Sequence, residues 1–132
     1  MLLTREADYA LRILRALARG ERMTTKQICE AEMIPLPFAR KILQKLAAAG
    51  CVEMLRGAEG GCVLRADLAA LSLYDLLHFV GENLFVNACT APDFDCPLRN
   101  RDGNVCRFHT ALAGVEAEIA ELLKRRFIGD MV

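Results

Sequence analysis

The sequence predicts a mainly α-helical protein with one small β-hairpin. Its 132 residues are 54% hydrophobic but only 6% aromatic, and they include no tryptophan. Apolar content of this kind is mostly leucine, alanine, valine and isoleucine, which favours packed helices. Apolar residues recur at helical spacing in most segments, whereas a glycine-rich turn separates two short apolar runs near the middle of the chain.

Three helices are predicted first. A helix over residues 4–19 follows from leucines at helical spacing. A second helix over 24–31 opens with a capping-box pattern, in which Thr24 precedes Gln27 by three residues. A third helix over 35–49 has proline in its first turn and glycine directly after its end.

Two short strands, 51–55 and 62–64, are predicted next. The segment RGAEGG, residues 56–61, joins them and has the glycines that a tight reversal requires. Three helices followed by a hairpin is the order of a winged helix-turn-helix. A further helix opens at Ser72, three residues before Asp75, and can pack beneath the hairpin.

The last third of the chain divides into a loop and a long helix. From about residue 87 to 105, turn-forming residues occur without periodicity, and so long a loop suggests a functional or ligand-ordered segment. An apolar stripe over 106–127 predicts a long helix that needs a partner surface, which makes the protein a homodimer. The expected domains are a winged helix-turn-helix over 1–82, a cysteine-bearing loop over 83–106, and a dimerisation helix and tail over 107–132.

Composition excludes several classes of protein. The net charge is zero, but residues 1–70 hold 11 basic and 8 acidic residues, while residues 71–132 hold 6 and 9. An anionic partner is therefore expected on the first part. No apolar run approaches the ~20 residues of a membrane span, and the N-terminus does not resemble a secretory signal, so we expect a cytoplasmic protein without a membrane contact. With two histidines and no recognisable nucleophile–base pair, neither an enzyme nor a small-molecule substrate is expected.

The third helix and the hairpin together predict a DNA-binding surface. One face of that helix carries long basic and amide side chains, which suit the major groove, although alone they are better interpreted as a solvated face. The hairpin adds an arginine followed by glycines, so its tip can enter the minor groove. The start of the second helix can hold a phosphate. The predicted contacts to double-stranded operator DNA are Thr24, Thr25, Arg40, Lys41, Gln44, Lys45, Arg56, Gly57 and Gly60.

Four segments carry a family resemblance: LTREADYALRIL, IPLPFARKILQKLAAAGCV, RGAEGGCVL and LSLYDLLHFV. Through them nearly the whole chain resembles the IscR/NsrR family of bacterial iron-sulfur transcription regulators, and the Arg-Gly and Gly-Gly pairs of the hairpin are the most specific part. The resemblance implies a homodimer with a winged helix, a cluster loop and a long dimerisation helix. Such proteins often have an acidic residue where Arg40 stands, so the resemblance does not imply a target DNA sequence.

The six cysteines fall into two groups, and a disulfide framework is not expected in a reducing compartment. Cys89, Cys96 and Cys106 lie in the unpatterned loop or at its end, where three thiolates form a ligand set that a bound metal would order. The other three fall in a predicted helix and at two strand ends, and are interpreted as buried apolar side chains: Cys29, Cys51 and Cys62.

The resemblance implies an iron-sulfur cluster on Cys89, Cys96 and Cys106 but leaves the fourth ligand open. His109 follows Cys106 by one helical turn, as in the IscR type, where an imidazole completes a two-iron cluster. Asp8 lies in DYALR, which resembles the NsrR type, where a carboxylate of the partner subunit completes a four-iron cluster. The cofactor is therefore expected to be either 2Fe-2S or 4Fe-4S. The second gap between the cysteines is longer than in the family pattern, so the resemblance does not decide between these two cluster types.

The favoured function is a transcriptional repressor whose operator binding responds, through the cluster, to redox, iron or nitric oxide status. A winged-helix regulator with a structural zinc, or with thiol-based sensing and no cofactor, is the first alternative. Against zinc, structural zinc sites usually pair cysteines that are close in sequence. An iron-sulfur electron carrier that does not bind DNA is the second alternative.

Overall fold

The computed structural model describes residues 3–132 and confirms a mainly helical fold with a two-stranded antiparallel sheet. A short 3-10 turn precedes the fifth helix and another follows the sixth. The helices and strands are α1 (Arg5–Leu17), α2 (Thr25–Glu32), α3 (Leu36–Ala48), β1 (Val52–Leu55), β2 (Gly61–Leu64), α4 (Leu73–Phe79), α5 (Pro97–Arg101) and α6 (Arg107–Lys124).

The capping box at the start of α2 is confirmed. The Thr24 hydroxyl accepts a hydrogen bond from the Gln27 amide at 3.2 Å, and the Gln27 side chain accepts one from the Thr24 amide at 2.8 Å. These bonds satisfy two N–H groups that would otherwise have no partner in the first turn. Because Met33 ends α2 in the left-handed conformation, the chain turns sharply into α3.

The hairpin is attached to the segment that precedes α2. Its strands pair from Val52 with Leu64 to Leu55 with Gly61. Cys62 then forms two backbone hydrogen bonds with Met23, at 2.7 and 3.1 Å. A Cβ on Gly61 would lie 2.8 Å from the Met23 carbonyl oxygen, so only glycine permits this close approach. The hairpin is thus held against the helical core at its base.

The core accounts for two of the three cysteines that were predicted to be apolar. Cys51 and Cys62 are buried, and Cys29 is half-buried. Burial raises the pKa of all three thiols, because it disfavours the charged thiolate. The prediction is confirmed for Cys51 and Cys62 and holds in part for Cys29.

The predicted loop over 87–105 is more regular than its sequence indicates. Ala88–Thr90 forms a 3-10 turn, and Pro97–Arg101 forms α5. Pro97 is favourable at the first helical position, and the Asn100 amide donates to the Cys96 carbonyl at 3.0 Å. A helix of five residues is too short for an apolar period to emerge, which is why the sequence did not reveal it.

The tail that follows α6 returns to the winged helix. The backbone amide of Ile128 donates to the carbonyl of Leu71 at 2.9 Å, and the backbone amide of Leu73 donates to the carbonyl of Arg126 at 2.7 Å. Ile128 is fully buried. The end of α6 is therefore anchored beside α4. Across residues 3–132, no helix combines the length and the apolarity that crossing a membrane would require.

Candidate DNA interface and cysteine cavity

The solvent face of α3 carries most of its predicted DNA contacts. The opposite face of the helix packs into the core through Ala39, Ile42, Leu43 and Leu46. This packing turns the remaining side chains outwards, where a major groove could reach them. Of the predicted contacts on this helix, three are exposed and one is half-buried: Arg40, Lys41 and Gln44 in the first group, and Lys45 in the second.

Glu6, which the sequence analysis did not single out, binds two of these lysines. Its carboxylate oxygens lie 2.5 Å from Lys41 Nζ and 2.6 Å from Lys45 Nζ. The hydrogen bond from Lys41, followed by that from Lys45, lowers the pKa of Glu6. The Lys45 side chain is only 30% exposed, against 57% for Lys41, and Lys45 also donates to the Val80 carbonyl at 2.5 Å. Both lysines therefore pair with Glu6, but Lys45 has a second partner and is less exposed than Lys41.

The tip of the hairpin exposes Arg56. Gly57 has a φ of 89°, which lets the chain reverse directly after Arg56. A Cβ on Gly60 would lie 3.0 Å from the Gly57 carbonyl oxygen, so a larger residue here would force the turn to shift. Arg22 donates to the Glu59 carbonyl at 2.8 Å and holds the tip from the side. Arg56 is therefore presented on a braced turn.

The start of α2 is the third part of the predicted interface. Thr24 is exposed, and its hydroxyl oxygen accepts the capping hydrogen bond, which leaves the hydroxyl proton available for a phosphate. Thr25 is half-buried. The backbone amides at this end of α2 point outwards, as at any helix N-terminus.

The three loop cysteines and His109 line one cavity of about 290 Å³. Cys89 lies in the 3-10 turn, Cys96 caps α5 and Cys106 caps α6, while His109 lies in the first turn of α6. Residues that are far apart in the sequence therefore face a common space. The rest of the wall is mostly apolar, with one cationic and one amide side chain: Ala88, Phe94, Leu98, Phe108, Leu112, Arg99 and Asn87.

Hydrogen bonds inside the cavity orient His109. Its Nδ1 lies 2.9 Å from the Cys89 carbonyl oxygen, which can only accept, so Nδ1 carries the proton. Nε2 then carries the lone pair, and this is the tautomer in which Nε2 can bind a metal. Arg99 Nη1 lies 3.3 Å from this Nε2. The Asn87 side-chain amide donates to Cys89 Sγ at 3.2 Å.

The donor set fits an iron-sulfur cluster or zinc, although the ligands do not stand in a coordinating arrangement. Within residues 3–132, no group of three or more His, Cys, Asp and Glu side chains is placed to hold a metal ion. Three thiols and one imidazole nitrogen around one cavity are nevertheless the donors that both centres use. The Arg99 Nε is also buried in this wall without a hydrogen-bond partner. The residues fit such a centre in chemistry, and ligation would require them to draw together.

Asp8 lies elsewhere in the same protomer. It forms an ion pair with Arg12, with 2.9 Å between Arg12 Nη2 and Asp8 Oδ2. Its neighbours line a surface depression formed by α1 and the C-terminal tail, including Arg15 and Met131. Asp8 is thus not among the residues of the cysteine cavity of its own chain. A role as a ligand would require the partner subunit, so it stays a prediction.

An apolar face of α6 is exposed. Val115 and Leu122 are 48% and 50% exposed, and the half-buried Ile119 lies between them on the helix. Phe108, one heptad before Val115, is 78% exposed. Spacing of four and three residues places these side chains in one stripe, as in a helix that pairs with another.

Comparison with known proteins identifies relatives over the whole chain. Residues 3–132 match the family Rrf2, described as an iron-dependent transcriptional regulator. Protein aau3 of Rhizobium meliloti is 32% identical, with all of this chain matching 85% of that protein. The regulator IscR of Vibrio vulnificus is 26% identical, with all of this chain matching 77% of it. The solved structure of T. potens IscR superposes with a TM-score of 0.68 at 21% identity and covers 98% of this chain and 84% of that one.

Proposed function

The chain belongs to the Rrf2 family of transcriptional regulators, and from this premise we propose that it is a homodimeric, cytoplasmic repressor of operator DNA controlled by an iron-sulfur cluster. The cluster would be held by Cys89, Cys96, Cys106 and His109. One observation carries the proposal: these four side chains, spread over 21 residues from 89 to 109, line a single cavity.

The orientation of His109 supports it as the fourth ligand. Its Nδ1–H is engaged by the Cys89 carbonyl, so Nε2 carries the lone pair through which an imidazole can bind a metal. Cys89 therefore contributes twice, through its thiol and through the carbonyl that fixes the imidazole. Asp8 of the partner subunit is the alternative. When bound, the cluster would supply the sensitivity to oxidants, iron supply or nitric oxide.

A chain of contacts links the cavity with α3. The wall of the cavity includes the first turn of α6, and the far end of α6 is anchored beside α4 through the Ile128–Leu71 hydrogen bond. The carbonyl of Val80, at the end of α4, is held by Lys45 of α3. Gain or loss of the cluster can therefore bias the position of α3 along packed elements.

The exposed stripe of α6 supports the homodimer. Leucine and valine side chains that are half exposed in one protomer would be covered when two α6 helices pack together. Two copies of α3 and of the hairpin would then face one palindromic site, because two-fold symmetry of a dimer matches two-fold symmetry of an operator.

Anaerobic purification tests the proposal directly. We expect brown or pink protein that contains iron and acid-labile sulfide, and a gel shift on double-stranded promoter fragments that changes when a chelator removes the iron. Protein from iron-replete cells that contains neither iron nor zinc would contradict the ligand assignment. A loaded protein that shifts none of the promoter fragments would instead favour an electron carrier.

A zinc site or a thiol sensor is the second candidate. It is favoured by one observation, namely that within residues 3–132 the ligands are not drawn together as in a preformed cluster site. Zinc would give colourless protein with stoichiometric zinc and no labile sulfide. Thiol sensing would give metal-free protein whose DNA binding is lost on mild oxidation and restored by a reductant.

A further inference from the structure

Arg99 is the one cationic side chain in the wall of the cysteine cavity. Its Nη1 lies against the His109 ring, 3.3 Å from Nε2 and 3.5 Å from Nδ1. Its Nε is buried and has no hydrogen-bond partner among the described residues. A buried N–H without an acceptor is unfavourable, and more so on a charged group. The Nε–H of Arg99 therefore lacks an acceptor in the wall of the cavity that the three cysteines line.

The second arginine of α5 is satisfied in a different way. Arg101 forms an ion pair with Asp102, with 2.8 Å between Arg101 Nε and Asp102 Oδ1, and its side chain is 73% exposed. Within residues 3–132, no carboxylate comes within 4.0 Å of Arg99 to form such a pair. Two arginines of one short helix thus differ: one is neutralised at the surface, and the other keeps its charge in the cavity.

An anionic sulfur centre would supply the missing acceptor. Three cysteine thiolates and the sulfides of a cluster all accept hydrogen bonds, and the centre carries a net negative charge that grows on reduction. Guanidinium keeps its proton at any physiological pH, so it remains a donor and a positive charge throughout. Hydrogen bonds to the sulfurs and nearby charge are two of the factors by which a protein sets the potential of such a cluster.

We infer that Arg99 is a positioning residue of the cluster site, which donates its Nε–H to a sulfur of the bound cluster and favours the reduced form. The inference rests on the proposed function, since it requires a cluster. Reduction adds one electron to the iron-sulfur core and breaks no bond in the protein. The positive charge of Arg99 stabilises the added negative charge, so its removal makes the cluster harder to reduce.

The test compares four proteins reconstituted anaerobically as the full chain. They are the wild type, Arg99→Gln, Arg99→Lys and the matched control Arg101→Gln, which removes the same charge from the same helix outside the cavity. Each is titrated with dithionite in the presence of mediator dyes, with visible absorbance as the readout, after iron and sulfide have been counted and helix content checked by circular dichroism.

At the wild-type midpoint potential, we expect Arg99→Gln to show an oxidised-to-reduced ratio at least tenfold higher, which equals a fall of 59 mV for a one-electron couple. Arg99→Lys keeps the charge but loses the Nε–H, so it should shift in the same direction by less. Arg101→Gln should match the wild type, because its charge is solvated and already paired.

Equal shifts in Arg99→Gln and Arg101→Gln, or a wild-type potential in fully loaded Arg99→Gln, would overturn the inference. If Arg99→Gln folds but does not bind the cluster, the result for Arg99→Lys is used instead. A wild-type potential in Arg99→Lys excludes the Nε–H as a donor to the cluster. A lowered potential, or folded Arg99→Lys without iron, supports the inference. Unfolding of both variants would make Arg99 a residue of the fold and overturn the inference. A wild type without iron and sulfide would contradict the proposed function itself, and the inference with it.

Discussion

Lys45 Nζ lies 2.6 Å from the Glu6 carboxylate and joins α3 to α1. The same ammonium donates to the Val80 carbonyl at the end of α4, so three helices meet at one half-buried charge. Although the sequence predicts Lys45 as a DNA contact, its bonds to Glu6 and Val80 also hold α3 in place. Removing a charged side chain that hydrogen-bonds within the protein leaves its partners unsatisfied and lowers the free energy of unfolding. Removing a fully solvated charge does not have this effect.

Lys45→Ala should lower the free energy of unfolding by about 1–3 kcal/mol, because Glu6 and the Val80 carbonyl each lose a donor. Lys41→Ala, at a more exposed position, should cost only about 0–1 kcal/mol. Urea unfolding at a fixed protein concentration gives both values. Equal losses in the two variants would show that Lys45 has no special structural role.

The stability of the protein should depend on Glu6 at acid pH. Its pKa is lowered in the folded state, so its contribution is complete above the ordinary glutamate value of about 4.3 and is lost as the pH falls through the lowered folded value. The urea midpoints of wild type and Glu6→Gln should therefore converge as the pH is lowered below this value. A difference that stays constant down to acid pH would show that the carboxylate charge does not stabilise the fold.

Arg56→Ala should lose DNA affinity mainly on sites with a narrow, A/T-rich minor groove, because an arginine at the tip of a hairpin reads groove width and potential. Lys41→Ala, on α3, should weaken binding to all sequences alike and reduce the salt dependence by about one phosphate contact. Fluorescence anisotropy on matched A/T-rich and G/C-rich sites at several salt concentrations separates the two effects. Equal loss for Arg56→Ala on every site would remove minor-groove reading.

Changing Cys89, Cys96 or Cys106 to Ala should abolish visible absorbance and make the segment around α5 sensitive to protease, because the cluster loses a thiolate. Cys62→Ala is the matched control: this thiol is buried on strand β2, away from the cysteine cavity, so the spectrum should survive and only stability should change. An absorbance that persists in any of the three loop variants would exclude that cysteine as a ligand.

The fourth ligand can be identified by two further substitutions. His109→Ala should make the cluster labile to a chelator if the imidazole is a ligand, and Asp8→Ala should do so if the carboxylate of the partner subunit is. Iron retention during chelator challenge is the measurement. Because Asp8 also pairs with Arg12, helix content must be shown to be unchanged before loss of iron is attributed to ligation.

Leu122→Glu should convert the dimer to a monomer at micromolar concentration, because it places a charge in the exposed stripe of α6. Met33→Glu is the control, since it places the same charge on an exposed apolar residue outside α6. Sedimentation equilibrium distinguishes the two. A wild type that is already monomeric at this concentration would contradict the dimer.

Local chemistry made much of the fold predictable. The capping box of Thr24 and Gln27 and the glycines of the hairpin act within a few residues, so their patterns are visible in the sequence. The three cysteines were expected to form a ligand set from their position in one unpatterned loop, whereas His109 was expected as a ligand from the family resemblance. Contacts between residues far apart in the sequence could not be predicted. No local pattern indicates that Lys45 contacts Glu6 and Val80, or that Arg99 contacts His109.

The buried position of Ile128 has a consequence for synthesis of the protein. The winged helix is built from residues in the first two thirds of the chain, yet its core includes the buried side chain of Ile128, whose backbone amide donates to the Leu71 carbonyl. During synthesis the earlier helices leave the ribosome before this side chain does, so the core of the nascent domain is incompletely packed until then. Translation of α6 therefore has to finish before the DNA-binding unit reaches its full stability.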